Sequence, residues 1–270
     1  MQKTNIMFIG AHPDDCDFRC GATAVMLAER GHNVLFLSMT DGSMGHHENP
    51  GPTMAARRRV ETRSVAALCG IEYRVMDIPD GALTAELKYR DMLMREIRAF
   101  VPDIIVTHRH NDYHPDHRNT GLLVMDCSYL VIVPGVTPDS APLKKAPYIF
   151  YMFDSFTFPG PFKADIVVDI DNVMDKKTAM LHCHTSQVYE WLPWAGGYSD
   201  EVPQAEDEKA RLAWLKTKLG ERGAKTANHC RELLINRYGK EKGSAVKCCE
   251  AFQLCEYGSQ LMGDELLDII

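Results

Sequence analysis

Residues 6–17 read I-M-F-I-G-A-H-P-D-D-C-D. The apolar run from Ile6 to Ile9 stops at Gly10-Ala11, and His12, Pro13, Asp14 and Asp15 follow at once. A buried strand that ends in ionisable groups marks a site in a parallel α/β sheet, because ligands bind at the carboxyl ends of such strands. His12 and Asp15 stand three apart, and both residue types bind divalent metals. Asp14 lies between them and is free to move protons.

A second stretch completes the pattern. Asp103 to Thr107, D-I-I-V-T, reads as another buried strand, and H-R-H-N-D-Y-H-P-D-H follows at 108–117. His114-Pro115-Asp116-His117 echoes His12-Pro13-Asp14-Asp15. Proline suits the first turn of a helix, where its missing N–H costs nothing. Both stretches therefore read as strand, turn and helix start. If the two strand ends lie side by side, His12, Asp15 and His117 meet. Two imidazoles and a carboxylate leave coordination positions open, as a catalytic metal needs. The same donors also describe non-haem Fe(II) oxygenases, although the βαβ order argues against that class.

With these residues the chain resembles the LmbE-like (PIG-L) family of zinc-dependent N-deacetylases. The resemblance rests on Ala11-His12-Pro13-Asp14-Asp15 and on His114-x-x-His117. Lesser matches are Thr40-Asp41-Gly42, Arg58-x-x-Glu61, Asp80-Gly81-x-Leu83 and His184-x-Ser186-Gln187; together they span about residues 5–190. One position departs from the family pattern: Cys16 stands where Glu is usual, so a supporting contact is lost or the thiol touches the metal. The resemblance implies a single Rossmann-like three-layer domain over 1–270, with a mostly parallel sheet and a helical C-terminal extension from about residue 190. It implies Zn2+, or Fe2+ or another divalent ion, on His12, Asp15 and His117. Arg58, Asp41 and His184 join Tyr113, next to His114, as expected substrate contacts. It also implies an N-acetylglucosamine-type sugar conjugate as substrate, and assembly into a homo-oligomer.

The residues themselves give metal-assisted hydrolysis. The metal activates a water, Asp14 takes its proton as general base, and His114, as a cation, supports the developing oxyanion. A non-enzymatic ligand-binding protein is the competing class, but a pure binder has no use for Asp14.

Composition bounds the rest. A length of 270 residues fits one large α/β domain. Hydrophobic content of 45% and charged content of 25% are ordinary for a globular chain. The net charge of −7 argues against a nucleic-acid partner, while an anionic small molecule needs only a local basic patch. Nine cysteines, an odd count with Cys248 and Cys249 adjacent, read as free thiols in a reducing cytosol. No signal peptide or membrane-length apolar run is visible, so a cytoplasmic location without an integral membrane segment is expected.

Periodicity predicts a helix over 14–30 and a strand over 34–39, which with the first strand make a βαβ unit. No G-x-G-x-x-G follows the first strand, so a dinucleotide site is not expected. Further helices are predicted over 54–69, 86–100, after His117, and over 173–184, 205–222 and 226–238. Strands are predicted over 73–78, 148–153 and 164–170, and a short element over 250–257 closes onto the domain. The aromatic run from Tyr189 to Tyr198 reads either as a surface patch or as a lid or subunit contact. His46, His47, His108 and His110 are read as bystanders, and Asp17 and Asp116 as capping or orienting residues.

Overall fold

The computed structural model describes residues 3–260. In chain order they form β1 (Asn5–Gly10), α1 (Asp15–Glu29), β2 (Asn33–Ser38), α2 (Pro52–Cys69), β3 (Glu72–Val75), α3 (Leu87–Phe100), β4 (Ile104–Thr107) and α4 (Pro115–Leu130). There follow β5 (Tyr148–Met152), β6 (Ile166–Asp169), α5 (Met174–His182), α6 (Leu192–Gly196), α7 (Glu208–His229), α8 (Arg231–Tyr238), α9 (Lys240–Ala245) and β7 (Cys249–Gly258). The seven strands make one sheet in the order β3-β2-β1-β4-β5-β7-β6. The first five are parallel, and β7 runs antiparallel to both its neighbours.

Strand alternation builds three layers, because successive side chains point to opposite faces. Ile6 and Phe8 of β1, with Ile104 and Val106 of β4, meet Cys20, Ala24 and Leu27 of α1, Met180 and Leu181 of α5, and Leu215 and Leu219 of α7. Met7, Ile9 and Ile105 point the other way, toward Leu93 and Ile97 of α3, Leu123 and Val124 of α4, and Leu234 of α8. Both faces of β1 and β4 are thus buried, which is why these strands read as unbroken apolar runs.

The C-terminal third does run as helices α7 to α9. It then returns as a strand inside the sheet, pairing Phe150 with Leu254 on one side and Ile166 with Phe252 on the other. The extension is therefore part of the core layer. Helix α7 also runs further than its predicted end at residue 222, continuing to His229 before the chain turns at Cys230. Gly220 and Gly223 each cost about 1 kcal/mol relative to Ala. They do not break α7 because Leu215, Leu219 and Ala227 anchor it against the sheet. All nine cysteines are free thiols. Among the described residues no helix is long and apolar enough to cross a membrane.

Candidate active site

β1 and β4 are neighbours, with Ile9 opposite Thr107, so their exit loops emerge side by side. Gly10 permits the turn into α1: a β-carbon there would lie 2.8 Å from Cβ of Asp15. Asp15 then locks the turn, its Oδ2 accepting from the amides of Ala11 at 3.0 Å and His12 at 2.8 Å. At the second exit His114 caps α4, its Nδ1 accepting from the amide of Asp116 at 3.2 Å. α4 closes tightly on that exit because residue 121 is Gly; a β-carbon there would meet the His108 carbonyl at 2.6 Å.

The two turns bring the three expected metal ligands together. His12 Nδ1 lies 3.1 Å from His117 Nε2. Asp15 sits between them, Oδ2 3.4 Å from His12 Nδ1 and Oδ1 3.3 Å from His117 Nε2. The outward nitrogens face carboxylates. His12 Nε2 is 3.1 Å from Asp80 and 3.4 Å from Asp116, and His117 Nδ1 is 3.1 Å from Asp112. Carboxylates placed so fix the ring orientation and raise the basicity of the inward nitrogens. Burial opposes a charge on either imidazole. The carboxylates of Asp116, Asp15 and Asp80 outweigh it at His12, and Asp15 and Asp112 lift His117 to about 9. Burial likewise opposes the Asp15 carboxylate, yet His117 and His108 hold it well below the usual carboxylate range. Two imidazole nitrogens and a carboxylate converging at hydrogen-bond distance form a donor set that a divalent cation fits.

His114 stands at the edge of this cluster, its ring T-shaped to His12 with centroids 4.6 Å apart. Imidazole nitrogens of His12, His114 and His117 lie within 4.8 Å of one another. Because its Nδ1 accepts an amide proton, Nε2 carries the ring's own proton. Burial and the neighbouring His12 and His117 push its pKa down. That direction favours a neutral imidazole with its proton on Nε2 over the expected cation.

Asp14 is buried, and its Oδ2 lies 3.2 Å from Nη2 of Arg58. Arg58 borders the cavity but is only 1% exposed, with Glu61 4.0 Å from its Nε. Its guanidinium faces Asp14 as an ion pair. Tyr113 stands at the mouth, 70% exposed.

Two expected substrate contacts fall elsewhere. Asp41 is not on the cavity wall; its Oδ1 accepts from the amides of Ser43 and Asp80, which positions Asp80 against His12. His184 is fully buried, its Nε2 3.0 Å from Asp17, whose other oxygen accepts from the Tyr73 hydroxyl at 2.8 Å. It supports α1 from beneath. Cys16 does not reach the donors either. It packs in the core with Phe8 and Cys20, and burial keeps it a thiol.

His108, read as a bystander, belongs to the site. Its Nε2 is 3.2 Å from Asp15 Oδ2, and its ring stacks on His117 at 4.2 Å. Burial and the nearby His117 lower it to about 4, so it is neutral. The signal was the adjacency of β1 and β4, which places the residue after Thr107 beside Gly10 and Ala11. His46 meets Glu190 at 2.8 Å, and His47 stacks on Trp194 at 4.8 Å. His110 is exposed. Asp116 accepts from the amides of Gly81 and Leu83, the orienting role expected of it.

A cavity of about 910 Å³ opens over the cluster. His12, Asp14 and His117 line it, as do Trp191 and residues of α7.

Residues 7–128 match the family described as GlcNAc-PI de-N-acetylase (PIG-L). The chain is 29% identical to the diacetylchitobiose deacetylase of Thermococcus kodakarensis over 70% of its length and 73% of that protein's. It is 23% identical to the 4-oxalmesaconate hydratase of Pseudomonas putida, over 70% of this chain and 76% of that one. In fold it is similar to the N,N'-diacetylchitobiose deacetylase of Pyrococcus horikoshii, with a TM-score of 0.70 at 23% identity over 93% of this chain and 83% of that one. The matched segment, which carries both strand-end motifs, is a PIG-L (LmbE-like) domain, and the fold around it is the one seen in the Pyrococcus deacetylase.

Proposed function

We propose that this protein is a metal-dependent hydrolase that removes the acetyl group from an N-acetylated amino sugar conjugate of the N-acetylglucosamine type. The observation that carries the proposal is Asp14, a buried carboxylate gripped by Arg58 beside three converging donors. His12, Asp15 and His117 would hold zinc, or Fe2+ or another divalent ion. Such an ion supplies Lewis acidity that polarises water and an amide carbonyl.

The chain's own residues do the rest. Asp14 accepts the proton of the attacking water and returns it to the departing nitrogen. Arg58, 3.2 Å away, supplies the counter-charge to Asp14 beside the cavity. His114 donates Nε2–H to the carbonyl oxygen as negative charge develops there, at no cost in reorganisation. Tyr113 at the mouth is placed to offer its hydroxyl to the sugar. The products are acetate and a free amine.

Relatives support the sugar reading. One is a diacetylchitobiose deacetylase; another is a probable N-acetyl-alpha-D-glucosaminyl L-malate deacetylase of Bacillus cereus, 25% identical over 79% of this chain and 95% of that protein. The hydratase relative makes the assay decisive. Zinc-loaded protein should release acetate and an equal amount of amine from diacetylchitobiose or N-acetylglucosaminyl malate. Fully metal-loaded protein that releases no acetate from any N-acetyl sugar would overturn the proposal.

A further inference from the structure

The cavity has a basic side that the hydrolytic residues do not use. Arg222, Lys225 and His229 follow one another on α7 at spacings of three and four, so they share a face. All three line the cavity, as does Arg19 from α1. Arg222 lies over the ring of Phe18 at 5.0 Å. Arg19 gives one N–H to the carbonyl of Phe153 at 2.7 Å, and the ring of that residue stands 5.5 Å from His229. Phe18 and Phe153 thus bring the two helices' cations to one place.

Among the described residues no carboxylate is paired with Arg19, Arg222 or Lys225, unlike the other cation on this wall. Lys177 is engaged by Glu250 at 2.6 Å and by the carbonyl of Phe18 at 2.8 Å. Desolvation, with Arg19 close by, holds Arg222 below its ordinary pKa, and Asp14 is near enough to act against that. The cavity that these cations line is the same one that His12, Asp14 and His117 line. In a chain of net charge −7, cations in one cleft that no carboxylate pairs with make a local basic patch, and Arg222 and Lys225 stay exposed to reach an anion there.

We propose that Arg19, Arg222 and Lys225 form a subsite for an anionic group, a carboxylate or a phosphate, on the part of the substrate beyond the acetylated sugar. This rests on the deacetylase reading for its kinetic test, but the subsite can also be tested by binding alone. A guanidinium pairs with either oxyanion in bidentate geometry, and Lys225 adds a point charge. A wholly neutral conjugate would leave all three without an anionic partner.

The test compares methyl N-acetylglucosaminide with N-acetylglucosaminyl L-malate and N-acetylglucosamine 1-phosphate. The two anionic probes separate carboxylate from phosphate. With zinc-loaded protein, kcat/KM on one anionic probe should exceed that on the neutral one by roughly tenfold, mainly through KM, as charge-assisted contacts provide. The advantage should shrink as salt rises. In the Arg222→Ala/Lys225→Ala double variant the anionic-to-neutral ratio should fall to about one. Equal kcat/KM on all three probes overturns the proposal, and so does a folded double variant that keeps the preference. If no probe loses acetate, the deacetylase reading fails separately. Calorimetry with L-malate and with inorganic phosphate then decides: saturable binding that the double variant lacks upholds the subsite, and no binding of either anion overturns it.

Discussion

Arg58 holds Nη2 3.2 Å from Oδ2 of Asp14, and the two residues are only 1% and 8% exposed. An arginine this deeply buried is stable only with its counter-charge, and removing one partner of a buried pair costs about 3–5 kcal/mol. Arg58→Ala should therefore lose that order of stability in denaturant unfolding, and kcat should fall because Asp14 is no longer fixed. Arg58→Lys keeps the charge without the planar fork and should lie between. An alanine variant with native stability and kcat would make the contact incidental.

Asp14 and Asp15 are adjacent but do different work. Asp14→Asn keeps shape and cannot accept a proton, so kcat should drop about 10²–10⁴-fold with metal retained. Asp15→Asn removes the carboxylate between His12 and His117, so metal content should fall and added metal should restore part of the activity. Elemental analysis beside kcat for both variants decides; an Asp14→Asn protein that loses its metal would reverse the roles.

Metal removal should expose a pH dependence. His117 is held at about 9 because Asp15 and Asp112 outweigh its burial. An unfolded imidazole titrates near 6.5, roughly. In chelated protein the stabilisation from its proton is fully present below about pH 6.5 and disappears as pH rises through about 9. The thermal midpoint should fall across that window. Zinc takes the proton's place, so the zinc-loaded protein should show a flatter profile and should release protons on loading. A flat midpoint in the chelated protein would contradict this account.

His184 separates support from substrate contact. Its imidazole is buried against Asp17 at 3.0 Å and does not reach the cavity wall. His184→Ala leaves the Asp17 carboxylate buried with only Tyr73 for a partner, and should destabilise the fold by about 3 kcal/mol. KM should stay within a factor of about two, since no group that meets the sugar has been removed. A raised KM with unchanged stability would return His184 to the substrate.

The sequence made the metal cluster legible because each half is local. The strand run, the tight turn and the helix start of His12 to Asp15 occupy consecutive residues, and so do those of His114 to His117. What joins the halves is not local. That β4 lies beside β1 is a choice of strand order, and His108 enters the site only through that choice. His108 looks like a surface histidine in the string H-R-H-N-D, yet it ends up stacked on His117. Asp41 misled in the opposite direction. An acid after a strand end reads as a ligand-binding group, but its Oδ1 accepts from two backbone amides, Ser43 of its own loop and Asp80 of the next. α7 runs past residue 222 through Gly223 because packing on the sheet outweighs the low local helix propensity of glycine.

The position of β7 bears on how the molecule is made. β5 and β6 leave the ribosome well before their shared partner, which is nearly the last described segment. Until Cys249 to Gly258 emerge, one edge of β5 and all of β6 lack hydrogen-bond partners, and Lys177 waits for Glu250. The strands whose exit loops lead to the candidate metal ligands, β1 and β4, can pair during that interval, but the sheet beyond β5 cannot close. The nascent protein therefore presents an open, apolar sheet edge of the kind that chaperones bind and that seeds aggregation. A ribosome stall or premature stop within α9 would yield a chain with every hydrolytic residue in place and an unclosed sheet, which quality control would meet as a folding failure.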